Sequence, residues 1–174
     1  MEPEPHPRPP TRLRFDFGGF QAEGFELRFS RGRVLYRHTV GSFPDSKPRE
    51  LRPTEPQWSQ FWQEVDRIGV WQWTREYWNH DVLDGIQWSL ELRCGERRVK
   101  SEGSNCYPGS TGPGYPADSP FAQFLRALAH LTGLAEIAFK EESAARPPNS
   151  RAKFSSTRRA RDSGGSSSSS ATTS

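Results

Sequence analysis

The sequence has few of the residues that build disulfide frameworks, metal clusters or membrane spans. Its 174 residues include only two cysteines, Cys94 and Cys106, and four histidines. Two cysteines are too few for the dense disulfide network of a small secreted domain. No apolar run approaches the roughly 18–20 residues that a membrane-spanning helix needs. We therefore expect a soluble protein without a transmembrane segment.

The first residues of the chain lack the features of a secretory signal. Residues 1–11 contain five prolines and no apolar stretch, whereas a signal peptide requires a basic start followed by about 7–15 apolar residues. We therefore expect a cytoplasmic protein with reduced thiols. The proline content of residues 1–11 predicts an extended, solvated leader.

Charge is distributed unevenly along the chain. The net charge is +3, but the segment from Arg146 onward holds six basic residues and one acidic residue, Asp162. This segment carries +5, which leaves −2 for residues 1–145. A basic nucleic-acid-binding face on a folded domain is therefore not expected. Residues 141–174 have no core-forming pattern and predict a disordered, basic and serine-rich tail.

A strand and a hairpin are predicted near the start of the chain. Apolar residues alternate with charged ones over residues 13–17, which is the period of a strand with one buried face. Residues 25–30 and 33–38 repeat this alternation around a two-residue turn. They predict a tight hairpin in which Phe25 faces His38.

A second hairpin is predicted further along, where residues 86–94 show the clearest alternation in the sequence. After the turn at Gly95-Glu96, Trp88 should face Gly103. In this register Cys106 lies about nine residues along the sheet from Cys94, or roughly 30 Å at ~3.3 Å per residue. A disulfide between the two cysteines is therefore not expected.

Two helices are predicted from capping residues and apolar periodicity. Thr54 and Gln57 have the spacing of a capping box, and Gly69 supplies a stop. Ser119 followed by Pro120 indicates the start of the second helix. The apolar stripes have helical spacing and consist of Trp58, Phe61, Trp62, Val65 and Ile68 in the first helix, and Phe121, Phe124, Leu125, Leu128 and Leu131 in the second.

Together these elements predict one α+β domain over residues 12–140. In this prediction antiparallel β-hairpins form a sheet, and two amphipathic helices cover it on one face. Residues 41–53 are rich in proline and predict a loop. Residues 70–84 have no clear periodicity, and the oligomeric state is open.

Three segments resemble a pattern of small uncharacterised bacterial proteins. They are Asp84-Gly85-x-x-Trp88-x-Leu90-x-Leu92, Ser101-x-Gly103-x-Asn105-x-Tyr107-Pro108 and Phe121-x-x-Phe124-Leu125-x-x-Leu128, within residues 70–133. The resemblance implies a shared α+β fold and no particular activity. This chain departs from the pattern at residues 109–117, where a segment rich in glycine and proline separates the Tyr-Pro step from the helix.

Six tryptophans lie between residues 58 and 88, and exposed indole rings can stack on sugars or bases. The spacing of Trp58, Trp62 and Trp88 is typical of core positions. The other aromatic residues in this region have no such spacing. The predicted binding surface consists of Trp71, Trp73, Tyr77, Trp78 and His80.

A catalytic site is an alternative that the residues around His80 leave open. His80, Asp81 and Asp84 could share a proton or hold a metal, but no second histidine stands at ligand spacing. Cys106 could act as a nucleophile, although no paired base is identifiable in the sequence. Because solvated turns also explain these residues, we predict no catalytic residue, no metal site and no cofactor.

No motif in the chain identifies an activity, so the predicted function is general. We predict a noncatalytic interaction or accessory protein that contacts an unknown protein partner through the aromatic-rich surface. One alternative is weak, nonspecific nucleic-acid binding through the basic tail. The other is an enzyme with a site near His80, Asp84 and Cys106.

Overall fold

The computed structural model describes residues 9–20, 22–41, 43–81, 85–110, 112 and 114–138. Over these residues it combines a mixed eight-stranded sheet with the two predicted α-helices, a 3₁₀ turn and a short helical segment at residues 135–138. This confirms the predicted α+β class. Most of the predicted leader and all of residues 139–174, including the basic tail, lie outside the described residues. The division into leader, domain and tail therefore stays a prediction.

The sheet has β1 at its centre, between the two predicted hairpins. The strand order is β4-β3-β2-β1-β7-β8-β6, and β5 pairs with β3. The helices are α1 (Glu55–Ile68) and α2 (Pro120–Thr132), and the 3₁₀ turn covers Val70–Gln72. The strands are β1 (Arg12–Gly19), β2 (Ala22–Ser30), β3 (Arg33–Val40), β4 (Phe43–Pro44), β5 (Arg49–Leu51), β6 (Glu76–Trp78), β7 (Ile86–Cys94) and β8 (Arg97–Ser104).

Both hairpins have the predicted register. Phe25 pairs with His38 in β2–β3, and Trp88 pairs with Gly103 in β7–β8. The alternating side chains on one face are buried along both hairpins and along β1. Since β1 is antiparallel to both β2 and β7, these buried positions join into one apolar face.

Both helices begin at the predicted residues, and α1 also ends at the predicted glycine. The Thr54 amide donates to Gln57 Oε1 over 2.8 Å, and the capping box is complete. Ser119 Oγ accepts from the Ala122 amide over 3.2 Å at the start of α2. Gly69 ends α1 with φ of 76°, a left-handed conformation that glycine adopts without a steric penalty.

Aromatic rings contribute twelve of the 27 core residues that the structure describes, and Phe121 of α2 contacts several of them. Its ring centroid lies 6.3 Å from that of Phe15 on β1 and 4.9 Å from that of Trp88 on β7. The α1 helix contributes Phe61, whose ring lies 6.2 Å from that of Phe124. The face that carries Phe15 and Trp88 is thus the core face of the sheet.

The edges of the sheet differ from the prediction. Residues 41–53 were expected to form a loop, but they contain β4 and β5, which both pair with β3. Proline is tolerated there because an edge strand does not need every N–H for pairing. Residues 70–79 form the 3₁₀ turn and β6, which pairs with β8 in parallel. The sheet is therefore mixed rather than wholly antiparallel.

Candidate functional site

The face of the sheet opposite the core face carries a row of polar side chains. They alternate with buried residues along their strands and therefore lie on the other face. Glu102 pairs with Ser89, Ser89 with Asp16, Asp16 with Glu26, and Glu26 with Arg37. A single polar row therefore crosses five adjacent strands.

Asp16 lies at the centre of this row in a hydrogen-bonded group. Arg14 Nε donates to Asp16 Oδ2 over 2.8 Å, and Ser89 Oγ donates to the same oxygen over 3.1 Å. The bond to Asp16 raises the pKa of Arg14 above its ordinary value. On β2, Glu26 forms an ion pair with Arg28. Both guanidinium groups are thus neutralised by carboxylates on the same face.

Glycines open a depression beside the polar row. A Cβ atom on Gly24 would lie 2.2 Å from the carbonyl oxygen of Phe17 and 2.8 Å from Thr39 Oγ1, so no side chain fits there. The adjoining cavity, here called the open-face groove, has a volume of about 550 Å³, and its lining includes Gly18, Gly19, Gly41 and Gly103. Its polar lining includes Arg14, Asp16, Glu26, Arg28, Gln87 and Glu102.

Two exposed aromatic rings also line the open-face groove. Phe20, in the turn between β1 and β2, is 76% exposed, and Trp78, at the end of β6, is 50% exposed. Val40 and Phe43 are exposed as well and pair with each other, but neither lines the groove. Single exposed apolar residues are normal on a protein surface, whereas two exposed rings that line one groove indicate a contact surface.

Trp71, which belongs to the predicted binding surface, is packed against the protein itself. Its Nε1 donates to Asp66 Oδ1 over 2.7 Å, and its ring stacks on that of Trp62 at 6.1 Å. The guanidinium carbon of Arg97 lies 4.6 Å from the ring centroid. The indole of Trp71 therefore has extensive internal contacts.

Trp73 and Tyr77 contact the core. The ring of Trp73 lies 5.3 Å from that of Phe124 and 6.0 Å from that of Trp88. The ring of Tyr77 lies 5.7 Å from that of Trp88, and its hydroxyl accepts from the amide of Thr74 over 3.1 Å. Both side chains are half-buried.

Trp78 and His80 are both exposed, but only Trp78 lines the open-face groove. The structure therefore brings one of the five predicted residues to the groove, and the binding role of the five stays a prediction. Sequence reasoning missed the polar half of the groove, including Arg14 and Asp16. Their alternation with buried rings was visible, but outward charges on a strand are usually only solvated.

Of the three residues of the alternative catalytic site, the structure describes His80 and Cys106. Asp84 lies outside the described residues. The carbonyl oxygen of Cys106 accepts from Trp88 Nε1 over 2.9 Å, and neither His80 nor Cys106 lines the groove. Both cysteines are free, as predicted, and burial raises the pKa of the Cys94 thiol.

A second cleft, of about 440 Å³, lies between α1 and α2. Phe61 and Ala127 line it, and Glu64, Arg67 and Arg126 provide charged side chains. Within α1, Arg67 Nε donates to Glu64 Oε2 over 3.1 Å. The Phe61 ring in this cleft is buried, whereas Phe20 and Trp78 in the open-face groove are exposed.

Among the described residues, no three or more histidine, cysteine, aspartate or glutamate side chains are grouped so as to hold a metal ion. In the same part of the chain, no helix is both long and apolar enough to cross a bilayer. No protein-family model matches the sequence, and no curated protein matches it either.

Proposed function

We propose that this protein is a noncatalytic binding protein that holds its partner in the open-face groove. The observation that carries the proposal is the presence of two exposed aromatic rings, Phe20 and Trp78, on a groove floored by glycine and lined by paired charges. Aromatic side chains are enriched among the residues that dominate binding energy. They bury a large apolar area at a small cost in conformational entropy.

We infer further that α1 and α2 together cover the core face. The ring of Trp58 lies 5.7 Å from that of Phe29 at one side of the sheet, and the ring of Phe121 lies 4.9 Å from that of Trp88 nearer the other. A partner would then reach the strands only from the face that carries Asp16.

The arrangement of charges supports binding rather than catalysis. Asp16 and Glu26 are each paired with an arginine, so both carboxylates are already engaged within the protein. The resemblance within residues 70–133 supports a shared fold with small bacterial proteins and adds no activity. On composition, we place the protein in the cytoplasm.

Affinity capture from native lysate tests the binding function. The full-length protein is compared with the double variant Phe20→Ala/Trp78→Ala and with Phe43→Ala, a control of similar exposure outside the groove lining. We expect the double variant to recover at least about tenfold less of a specific partner, while Phe43→Ala recovers it normally.

Truncation after Glu142 distinguishes binding by the groove from binding by the basic tail. A partner of the groove should bind the truncated protein as well as the full chain. A partner that is lost only on truncation, and whose binding falls steeply with salt, would contradict the proposal and favour nucleic-acid binding through the tail.

A further inference from the structure

We propose that the partner of the open-face groove is an uncharged saccharide, an inference that rests on the binding function proposed above. The groove volume of about 550 Å³ falls within the roughly 300–1,000 Å³ of small-ligand sites. A stable protein partner instead covers about 800 Å² of each surface. The size of the groove therefore favours a short oligosaccharide over a folded protein.

The charges of the groove disfavour an anionic ligand. Arg14 is bonded to Asp16 and Arg28 is paired with Glu26, so a phosphate would have to compete with a carboxylate for each guanidinium. A sugar hydroxyl both donates and accepts. It can therefore bind an arginine N–H and a carboxylate oxygen of the same pair without separating them.

Two polar side chains of the groove remain available to hydroxyl groups. The carboxylate of Glu102 and the amide of Gln87 line the groove, and neither has a side-chain partner among the described residues. Gln87 and Trp78 both pair with Ser104, from opposite sides of β8. A ligand over the end of β8 could thus contact an indole ring and an amide together.

The aromatic rings match the apolar side of a sugar. A pyranose ring presents C–H groups on its face and hydroxyls at its edge, and the positive C–H groups pack on the negative face of an indole. Trp78 is half-exposed beside the polar row, so a sugar stacked on it would direct hydroxyls toward Gln87 and Glu102.

A proline-rich peptide is the main competing ligand for a groove with aromatic rings. Proline has no N–H to donate. A proline-rich segment over Asp16, Glu26 and Glu102 would remove water from three carboxylates and supply few donors to replace the lost hydrogen bonds. The polar floor therefore favours a ligand rich in hydroxyl donors.

Isothermal titration calorimetry with the full-length protein tests this inference. The probes are cellotetraose, chitotetraose, maltotetraose, xylotetraose and mannotetraose at millimolar concentrations, with a proline-rich decapeptide in parallel. At least one saccharide should bind. Trp78→Ala should weaken saccharide binding at least about tenfold, whereas Trp78→Phe should keep most of the affinity of the unsubstituted protein. Glu102→Gln should weaken saccharide binding by about threefold. Phe43→Ala should bind as the unsubstituted protein does.

The outcomes separate the ligand class from the binding function. Absence of saccharide binding, or saccharide binding that persists in Trp78→Ala, overturns the inference. Binding of the decapeptide that depends on Trp78, without saccharide binding, overturns the inference and leaves the binding function in place. If no probe binds and lysate capture yields no partner that depends on Trp78, both are overturned. If Trp78→Ala does not fold, Glu102→Gln maintains the test, because unchanged saccharide binding by that variant overturns the inference.

Discussion

The two faces of the sheet are made by the same strands but differ in chemistry. On β1, Phe15 and Phe17 lie on the core face, and both rings lie within 6.3 Å of the Phe121 ring. Between and beside them, Arg14 and Asp16 lie on the open face. Because side chains alternate along a strand, the register that aligns rings on one face also aligns charges on the other.

Folding stability and partner recognition should therefore depend on different faces of the sheet. The core face buries large rings, and this burial is the main source of folding free energy. The open face holds partly exposed ion pairs, and pairs in contact with water contribute only about 0–1 kcal/mol each. Substitutions on the core face should therefore change stability, and those on the open face should change binding, except where backbone packing links the two.

The largest expected effect is on the core face, at Phe121. Its side chain is fully buried and contacts the rings of Tyr107 and Tyr115 as well as those of the sheet. Phe121→Ala should lower the free energy of unfolding by about 3–5 kcal/mol, because it leaves a cavity among rings that cannot collapse. Urea denaturation measures this, with Phe20→Ala as a control expected within about 0.5 kcal/mol of the unsubstituted protein.

At Gly24, close backbone packing should make a substitution on the open face change stability as well. A Cβ there would lie 2.2 Å from the Phe17 carbonyl oxygen, whereas one on Gly18 would meet its nearest atom at 3.3 Å. Gly24→Ala should therefore cost about 1–3 kcal/mol of unfolding free energy because β1 and β2 must move apart. Gly18→Ala should cost less. Equal losses in thermal unfolding would show that the close approach at Gly24 does not constrain the sheet.

Alkaline pH should lower the free energy of unfolding, because Tyr36 on the core face ionises more readily in the unfolded chain. Burial, and then Glu136, raise the pKa of Tyr36 to about 12, compared with 10.0 for an ordinary tyrosine. The unfolded chain therefore releases this proton at lower pH than the folded one, so stability is full below about pH 10 and is lost as pH rises toward 12. The loss should be about 1–2 kcal/mol after screening by solvent. Tyr36→Phe should remove this component in urea denaturation at increasing pH.

Local features of the fold could be predicted from the sequence because they depend on neighbouring residues. The capping box of Thr54 and Gln57 needs only a three-residue spacing, and the pairing of Phe25 with His38 follows from a two-residue turn and the alternation around it. In contrast, the parallel pairing of β6 with β8 joins segments separated by about 25 residues. No local pattern specifies such a contact.

The candidate site was harder to predict, for the same reason. Arg14, Arg28, Gln87 and Glu102 come from four strands, and only the sheet order brings them to one groove. The tryptophan-rich segment was visible in the sequence, but its residues have different surroundings. Trp71 packs on Trp62 and is covered by Arg97, a contact that depends on how α1 meets the β7–β8 turn.

The smallest expected effect on stability is at Trp78, and Trp71 provides the matched comparison. Trp78→Ala should change the free energy of unfolding by no more than about 0.5 kcal/mol, because half of its surface is already in water. Trp71→Ala should cost about 2 kcal/mol or more, because it removes a buried stacking contact and the hydrogen bond to Asp66. Urea denaturation of both variants measures the difference. If Trp78→Ala proves as destabilising as Trp71→Ala, Trp78 is a structural residue, and the open face contributes to stability in the same way as the core face.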